Sequence, residues 1–235
     1  DYHFQVTSSH CDSPTFKVKE KAELKGKGGY LQLNTEGYGG MICSSWMDRP
    51  LSLAGRVLMR EGNTVTSRLV AFDRDLLIIP NVAIHMNRSI NDGFAFNKQV
   101  DMLPLFSAGE CGEDSYRELI AQELGVDPQS ILGMDMYLYN RTAPSIWGAK
   151  KEFISSPKLD DLQCACTSLK AMIQAENDRC VTVYACFDNE EVGSGTKQGA
   201  CSTFLRDVLQ RINDGLGFDG EDYRRAVAGS FMVSC

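Results

Sequence analysis

The sequence has no basic block: 24 Lys and Arg stand against 31 Asp and Glu, a net charge of −7 over 235 residues. Nucleic acid and anionic membrane surfaces attract concentrated positive charge, so neither is an expected partner. No apolar run approaches the roughly 18 residues that a membrane-crossing helix requires. Asp1–His10 holds neither the basic nor the apolar segment of a signal peptide. Nine cysteines are scattered at positions 11, 43, 111, 164, 166, 180, 186, 201 and 235, and none forms a Cys-x-x-Cys pair. Zinc-finger and thioredoxin readings therefore fail. Several of these cysteines sit inside apolar runs, where a thiol behaves as a small hydrophobe, and a reducing, cytoplasmic compartment is the simplest expectation. There is no internal repeat and no low-complexity linker. The length suffices for one large domain or two small ones, each with its own core.

What is present gathers around Cys186-Phe187-Asp188-Asn189-Glu190-Glu191-Val192-Gly193-Ser194-Gly195-Thr196-Lys197. The preceding Val181–Phe187 is apolar and β-branched and predicts a buried strand. Two adjacent carboxylates at the end of such a strand are costly unless positive charge is close by. One of them could bind a metal while the other stays free as a general base. A bare Glu-Glu pair is more often a solvated loop, so the rest of the chain has to decide.

His10-Cys11-Asp12-Ser13-Pro14 follows another apolar strand, Phe4–Ser9. A histidine there suits a metal, with Asp12 fixing its tautomer and orientation; a hydrogen-bonded loop histidine is the blander alternative. Ser155–Asp161 leads into a helix with small or apolar residues at Leu162, Ala165, Cys166, Leu169, Met172 and Ile173. Asp160 and Asp161 fall in its expected first turn, where the helix dipole favours a carboxylate without any metal.

Residues 20–151 have a different texture. Glycines punctuate short alternating stretches at Tyr30–Leu33, Gly40–Trp46, Leu51–Arg60, Val65–Asp73 and Leu76–Ile79, which predicts an antiparallel β module. Asn97–Asp114 reads as loop, Ser115–Leu124 as a helix stopped by Gly125, and Gly133–Tyr139 as a strand. Its single histidine, His85, lies in Ala83-Ile84-His85-Met86-Asn87-Arg88. From about residue 152 the first texture returns: helix, strand 181–187, helices near 202–213 and 221–228, and strand 230–234. Alternation of this kind predicts an α/β layer with a largely parallel sheet, in which ligands collect at the carboxyl ends of strands. His10, Asp160, Glu190 and Glu191 all occupy such positions. The expected organisation is residues 1–19 and 152–235 as an α/β domain, interrupted by a β-rich insertion at 20–151.

Together, Ser9–Pro14, Ser156–Leu162 and Phe187–Ser194, with Ala83–Arg88 as a fourth block, resemble the M18 metalloaminopeptidases. These are the aspartyl aminopeptidases and related bacterial and vacuolar enzymes, and the similarity runs along the whole chain in the family's order. The resemblance implies a three-layer α/β catalytic domain with a mixed sheet flanked by helices, interrupted by a β-rich oligomerisation domain. It also implies two zinc ions per active site, with cobalt or manganese as possible substitutes. Self-association to dimers and cage-like dodecamers follows, as does removal of N-terminal residues, often acidic, from peptides with a free N-terminus. Position by position, the resemblance makes His10 a terminal zinc ligand, Asp12 its orienting partner and Asp160 the carboxylate bridging both ions. Asp161 becomes a helix-start residue, Glu190 the general base in contact with substrate, and Glu191 a zinc ligand. His85 is implied to reach the active site of a neighbouring subunit and contact substrate there.

The family's further Asp and its last His are absent from this sequence, and both termini read as strands cut across. A central fragment of a longer protein is therefore expected, inactive by itself, because His10, Asp160 and Glu191 cannot fully ligate two zincs. The alternatives are a broad-specificity peptidase or deacylase of the same fold, or a catalytically silent oligomeric scaffold. A retained Glu190 argues against the scaffold.

Overall fold

The computed structural model describes residues 2–234. The chain divides into two units: the residues up to Ser13 together with those from Ile146 onward, and the intervening Pro14–Ser145. Strand β1 (Phe4–His10) opens the first unit. The second unit then runs through β2 (Thr15–Lys25), β3 (Leu31–Tyr38), β4 (Leu51–Glu61), β5 (Thr64–Ala71), β6 (Leu105–Ser107), α1 (Ser115–Leu124) and β7 (Ile131–Asn140). After a ribbon of β8 (Ser145–Trp147) and β9 (Phe153–Ser155), the first unit continues with α2 (Leu159–Gln174), β10 (Val181–Phe187), α3 (Phe204–Gly215), α4 (Gly220–Ala228) and β11 (Phe231–Ser234).

The second unit is an antiparallel six-stranded sheet in the order β5-β4-β7-β2-β3-β6. Alternation places Phe16, Val18, Leu33, Leu51, Leu53, Val57, Met136 and Leu138 in one core, joined by Tyr116 and Ile120 of α1. Gly62, at φ 62°, begins the two-residue loop between β4 and β5, where a positive φ matches the twist of a tight hairpin. At Gly55 a Cβ would stand 2.2 Å from the Asp135 carbonyl oxygen, so only glycine lets β4 and β7 close. The sequence placed the unit boundaries at 19/20 and 151/152. The first of these falls inside β2, whose Phe16 and Val18 already belong to the second unit's core. Two local expectations give way. Part of Gly40–Trp46 is a 3-10 turn, Cys43–Trp46, and the expected loop at 97–114 contains β6.

The first unit holds a parallel sheet in the order β10-β1-β11. Parallel neighbours need crossovers, and α2, α3 and α4 provide them. Phe4 and Val6 of β1 pack with Val181 and Val183 of β10 and with Leu205, Leu209, Ile212 and Ala226 of α3 and α4. The α2 helix lies against β1 and β10. Asp219 accepts from the Glu221 and Asp222 backbone N–H groups, and Asp222 accepts in return from the Asp219 N–H, closing a capping box that starts α4. This is the α/β architecture expected from the alternation of elements, and its strand 181–187 stands where the sequence put it. The register pairs His10 with Phe187, so β1 and β10 end side by side at their carboxyl ends.

Candidate metal centre

His10 is the last residue of β1 and is buried. Its Nδ1 lies 3.0 Å from the Asp12 backbone carbonyl oxygen and 3.2 Å from Asp12 Oδ1. Both partners only accept, so Nδ1 carries the proton and the Nε2 lone pair is left facing outward. Nε2 stands 3.3 Å from Asp160 Oδ1 and 3.9 Å from Glu190 Oε2. A lone pair directed at carboxylate oxygens is a clash of acceptors, relieved by a proton on Nε2 or by a cation between them.

The opposite wall is built by the turn that follows β10. Asn189 takes a left-handed conformation, φ 61°, and releases the chain into a 3-10 turn, Glu190–Val192. Thr196 Oγ1 holds Asn189 by donating to its Oδ1 at 2.7 Å. The first N–H groups of such a turn have no partner of their own. Asp12 supplies one, accepting from the Glu190 N–H at Oδ1 (3.1 Å) and from the Glu191 N–H at Oδ2 (3.2 Å). One buried carboxylate thus orients the imidazole and also fixes the backbone of both glutamates. His10, Glu190 and Glu191 offer ligand atoms that all lie within 4.8 Å of one another.

Electrostatics follow from this crowding. Burial alone would lower the His10 pKa, but the negative charges of Asp12, Asp161 and Glu190 outweigh it and the value is raised. The Glu191 pKa is raised by burial first, then by repulsion from Glu190 and Asp12, with His10 opposing. Both shifts report excess negative charge in a partly dry site, which suits a cation.

Asp160 and Asp161 fall in the first turn of α2 as expected, but without helical geometry. Their φ/ψ pairs of −84°/112° and −115°/19° are non-helical, the peptide between them is cis, and regular helix follows after them. Asp160 projects its carboxylate to the surface beside His10, while Ser13 Oγ donates to its backbone carbonyl at 3.2 Å. Asp161 turns inward: it is 4% exposed and accepts the backbone N–H of His10 at 3.0 Å. It is therefore more than the helix-start residue the sequence suggested. Its only signal was its place beside Asp160, because a helix-start aspartate and a strand-bridging one look alike in sequence. His85 belongs to the second unit, exposed in a turn closed by the Met86 N–H on the Ala83 carbonyl oxygen (2.8 Å). It is not one of the residues that the first unit draws together.

A parallel α/β unit with a histidine–carboxylate pair and two glutamates at its strand ends has the framework and donor set of a metal-dependent hydrolase. Residues 2–235 match the model of the aminopeptidase I zinc metalloproteases (M18), and the chain belongs to that family. A Clostridium acetobutylicum protein named "Probable M18 family aminopeptidase 2" is 45% identical over 236 residues, covering 98% of this chain and 54% of the relative. Its Clostridium novyi namesake is 44% identical with the same coverage. The chain thus spans about half the length of these relatives. Among solved structures, the Ape4 and Nbr1 complex matches with a TM-score of 0.89 and 36% identity, covering 100% of this chain and 49% of that one. Chaetomium thermophilum mApe1 matches with a TM-score of 0.87 and 27% identity, covering 99% of this chain and 57% of that one. Yeast mApe1, solved as a dodecamer, matches at 0.74 and 25%, covering 93% of this chain and 50% of that one.

Proposed function

We propose that this chain contributes the first half of a two-zinc aminopeptidase site to a protein that removes N-terminal residues, preferentially Asp or Glu, from peptides in the cytoplasm. The observation that carries this reading is the geometry at His10. Asp12 accepts the hydrogen bond of the His10 Nδ1–H and orients the ring, and Nε2 opens onto Asp160, Glu190 and Glu191. His10, Asp160 and Glu191 would hold zinc, Asp160 as the carboxylate shared between two ions. Zinc, when bound, supplies Lewis-acid polarisation and a water of lowered pKa.

Glu190 acts as the general base. It is exposed at the site, its backbone is pinned by Asp12, and it takes the proton of the attacking water and delivers it to the leaving amine. His85, exposed on the inserted β-rich domain, contacts substrate in the site of a neighbouring subunit and donates to the developing oxyanion. Dimers through the inserted domain, and dodecamers built from them, would complete the site. The dodecameric relative supports this assembly.

The test has two parts. Zinc bound by the 235-residue chain alone is expected to fall short of two ions, since three proposed ligands cannot satisfy two four-coordinate sites. Two tight sites in this chain would overturn the ligand assignment. The protein that carries this chain should release N-terminal Asp and Glu from reporter peptides faster than Leu. Equal or inverted rates would overturn the acidic preference.

A further inference from the structure

The turn that carries the two glutamates is bracketed by two residues that take the left-handed conformation without being glycine: Asn189 at φ 61° and Ser194 at φ 58°. That conformation is costly for a residue with a side chain and persists only where the surroundings hold it. The chain leaves β10 through Asn189, so the Asn189 backbone angles set the direction in which Glu190 departs. Asp12 grips the turn from the end of β1, through the Glu190 and Glu191 N–H groups. The grip on Asn189 comes from the loop that follows, which folds back on the end of β10. In it the Asp188 N–H donates to the Gln198 carbonyl oxygen (3.1 Å), the Ser194 N–H to the Asn189 carbonyl oxygen (2.9 Å) and Thr196 Oγ1 to Asn189 Oδ1 (2.7 Å). The loop also closes tightly on itself. Gly199 is buried, its N–H donates to the Thr196 carbonyl oxygen at 3.0 Å, and a Cβ there would stand 2.2 Å from the Ser194 carbonyl oxygen. Among these contacts the Thr196 hydroxyl is the one that a substitution removes while the backbone bonds stay.

We propose that Thr196 is a positioning residue for the general base: through Asn189 it fixes the direction in which Glu190 leaves β10. The proposal rests on the aminopeptidase reading above and on Glu190 as its base. A base has to lie within hydrogen-bond reach of the proton it takes, and a misplacement of about 1 Å can cost about 10²-fold in rate. The Glu190 side chain is 55% exposed, so packing does not aim it and its backbone has to. Without the Thr196 hydroxyl, water satisfies the Asn189 oxygen but does not tie it to the loop. Asn189 then drifts from its left-handed angles, and the turn that carries Glu190 rotates with it. Asp12 still holds the two glutamate N–H groups. The turn therefore loses its aim while the fold remains.

The experiment compares Thr196→Val, which removes the hydroxyl at nearly equal size, with Thr196→Ser, which keeps it, in the protein that carries this chain. Turnover on an N-terminal reporter peptide is measured at saturating zinc, with metal content on the same samples. Deuterium exchange of the residue 190–194 amides is followed on the metal-free protein. Thr196→Val is expected to lower kcat about 10–100-fold with KM and zinc content unchanged, the pattern of an interaction made only in the transition state. Exchange at 190–194 should quicken about tenfold. Thr196→Ser should match the wild type in every readout. Asn189→Gly takes the left-handed angles freely but has no side-chain oxygen, so in its background Thr196→Val should add nothing. Wild-type kcat or unchanged exchange in Thr196→Val would overturn the proposal. So would a loss of turnover explained by missing zinc, or a serine variant as impaired as the valine one. Glu190→Gln, assayed alongside, separates this result from the reading it rests on. If that variant keeps wild-type turnover, the base assignment falls and Thr196 with it; if it loses turnover while Thr196→Val does not, the Thr196 proposal alone falls.

Discussion

The Asp161 carboxylate accepts the backbone N–H of His10 at 3.0 Å, joining two residues 151 apart in the sequence. The bond ties the start of α2 to the end of β1, where the imidazole is displayed. Asp161→Ala leaves a buried N–H without a partner, which costs about 1–3 kcal/mol. Urea unfolding should show the loss as a lower midpoint, with Asp161→Asn milder because its amide oxygen still accepts. An unchanged midpoint for the alanine variant would show that the bond contributes nothing.

Asp12 serves His10 and both glutamates. Asp12→Asn keeps the size but weakens the acceptor at Nδ1 and at the two turn N–H groups. Zinc affinity should fall about 10–100-fold, as for other orienting partners of a ligand histidine. Competition with a chromogenic chelator measures this directly, and wild-type affinity in the variant would remove Asp12 from the site.

Glu190 and Glu191 are adjacent but are assigned different work. In the protein that carries this chain, Glu190→Gln should retain zinc and lose about 10²–10⁴ in kcat. Glu191→Gln should lose zinc itself. Metal content and turnover on the same samples separate the roles, and the reverse pattern would exchange them.

Acid should loosen α4. The backbone N–H groups of Asp222 and Glu221 hold the Asp219 carboxyl below its usual pKa, against a small opposing effect of burial. A folded-state pKa below the unfolded one means stability present above about pH 4, the unfolded value, and lost as pH falls through the folded value. Asp219→Ala should therefore lower stability at neutral pH and flatten the acid limb of a pH–stability curve. An identical acid limb would refute the cap's share in it.

Gly55 is a steric requirement of the second unit. An added methyl group would meet the Asp135 carbonyl oxygen and the Met136 Cα, both backbone atoms. Gly55→Ala should cost about 1–3 kcal/mol, the range for overpacking, with the midpoint of thermal unfolding as the readout.

The sequence by itself determined what local chemistry can carry. An apolar, β-branched run marked β10, and the stretch before His10 was read as the strand that is β1. Helical spacing and a terminal glycine marked α1, which spans Ser115–Leu124 as expected. His10-x-Asp12 and Glu190-Glu191 were singled out by residue type at strand ends, and the fold brings these residues together where β1 and β10 end. Only the tertiary structure decided what depended on distant partners. Val18 and Phe16 look the same whether they extend one sheet or begin another, and strand pairing assigned them to the six-stranded sheet. Asp161 looked like a helix start until the approach of β1 gave its carboxylate a buried N–H to bind. Asp12 was legible as a partner of His10, but its hold on the glutamates required β1 and β10 to end together. Hydrogen bonds between segments some 150 to 180 residues apart leave no local periodicity in the sequence, so folding alone reveals them.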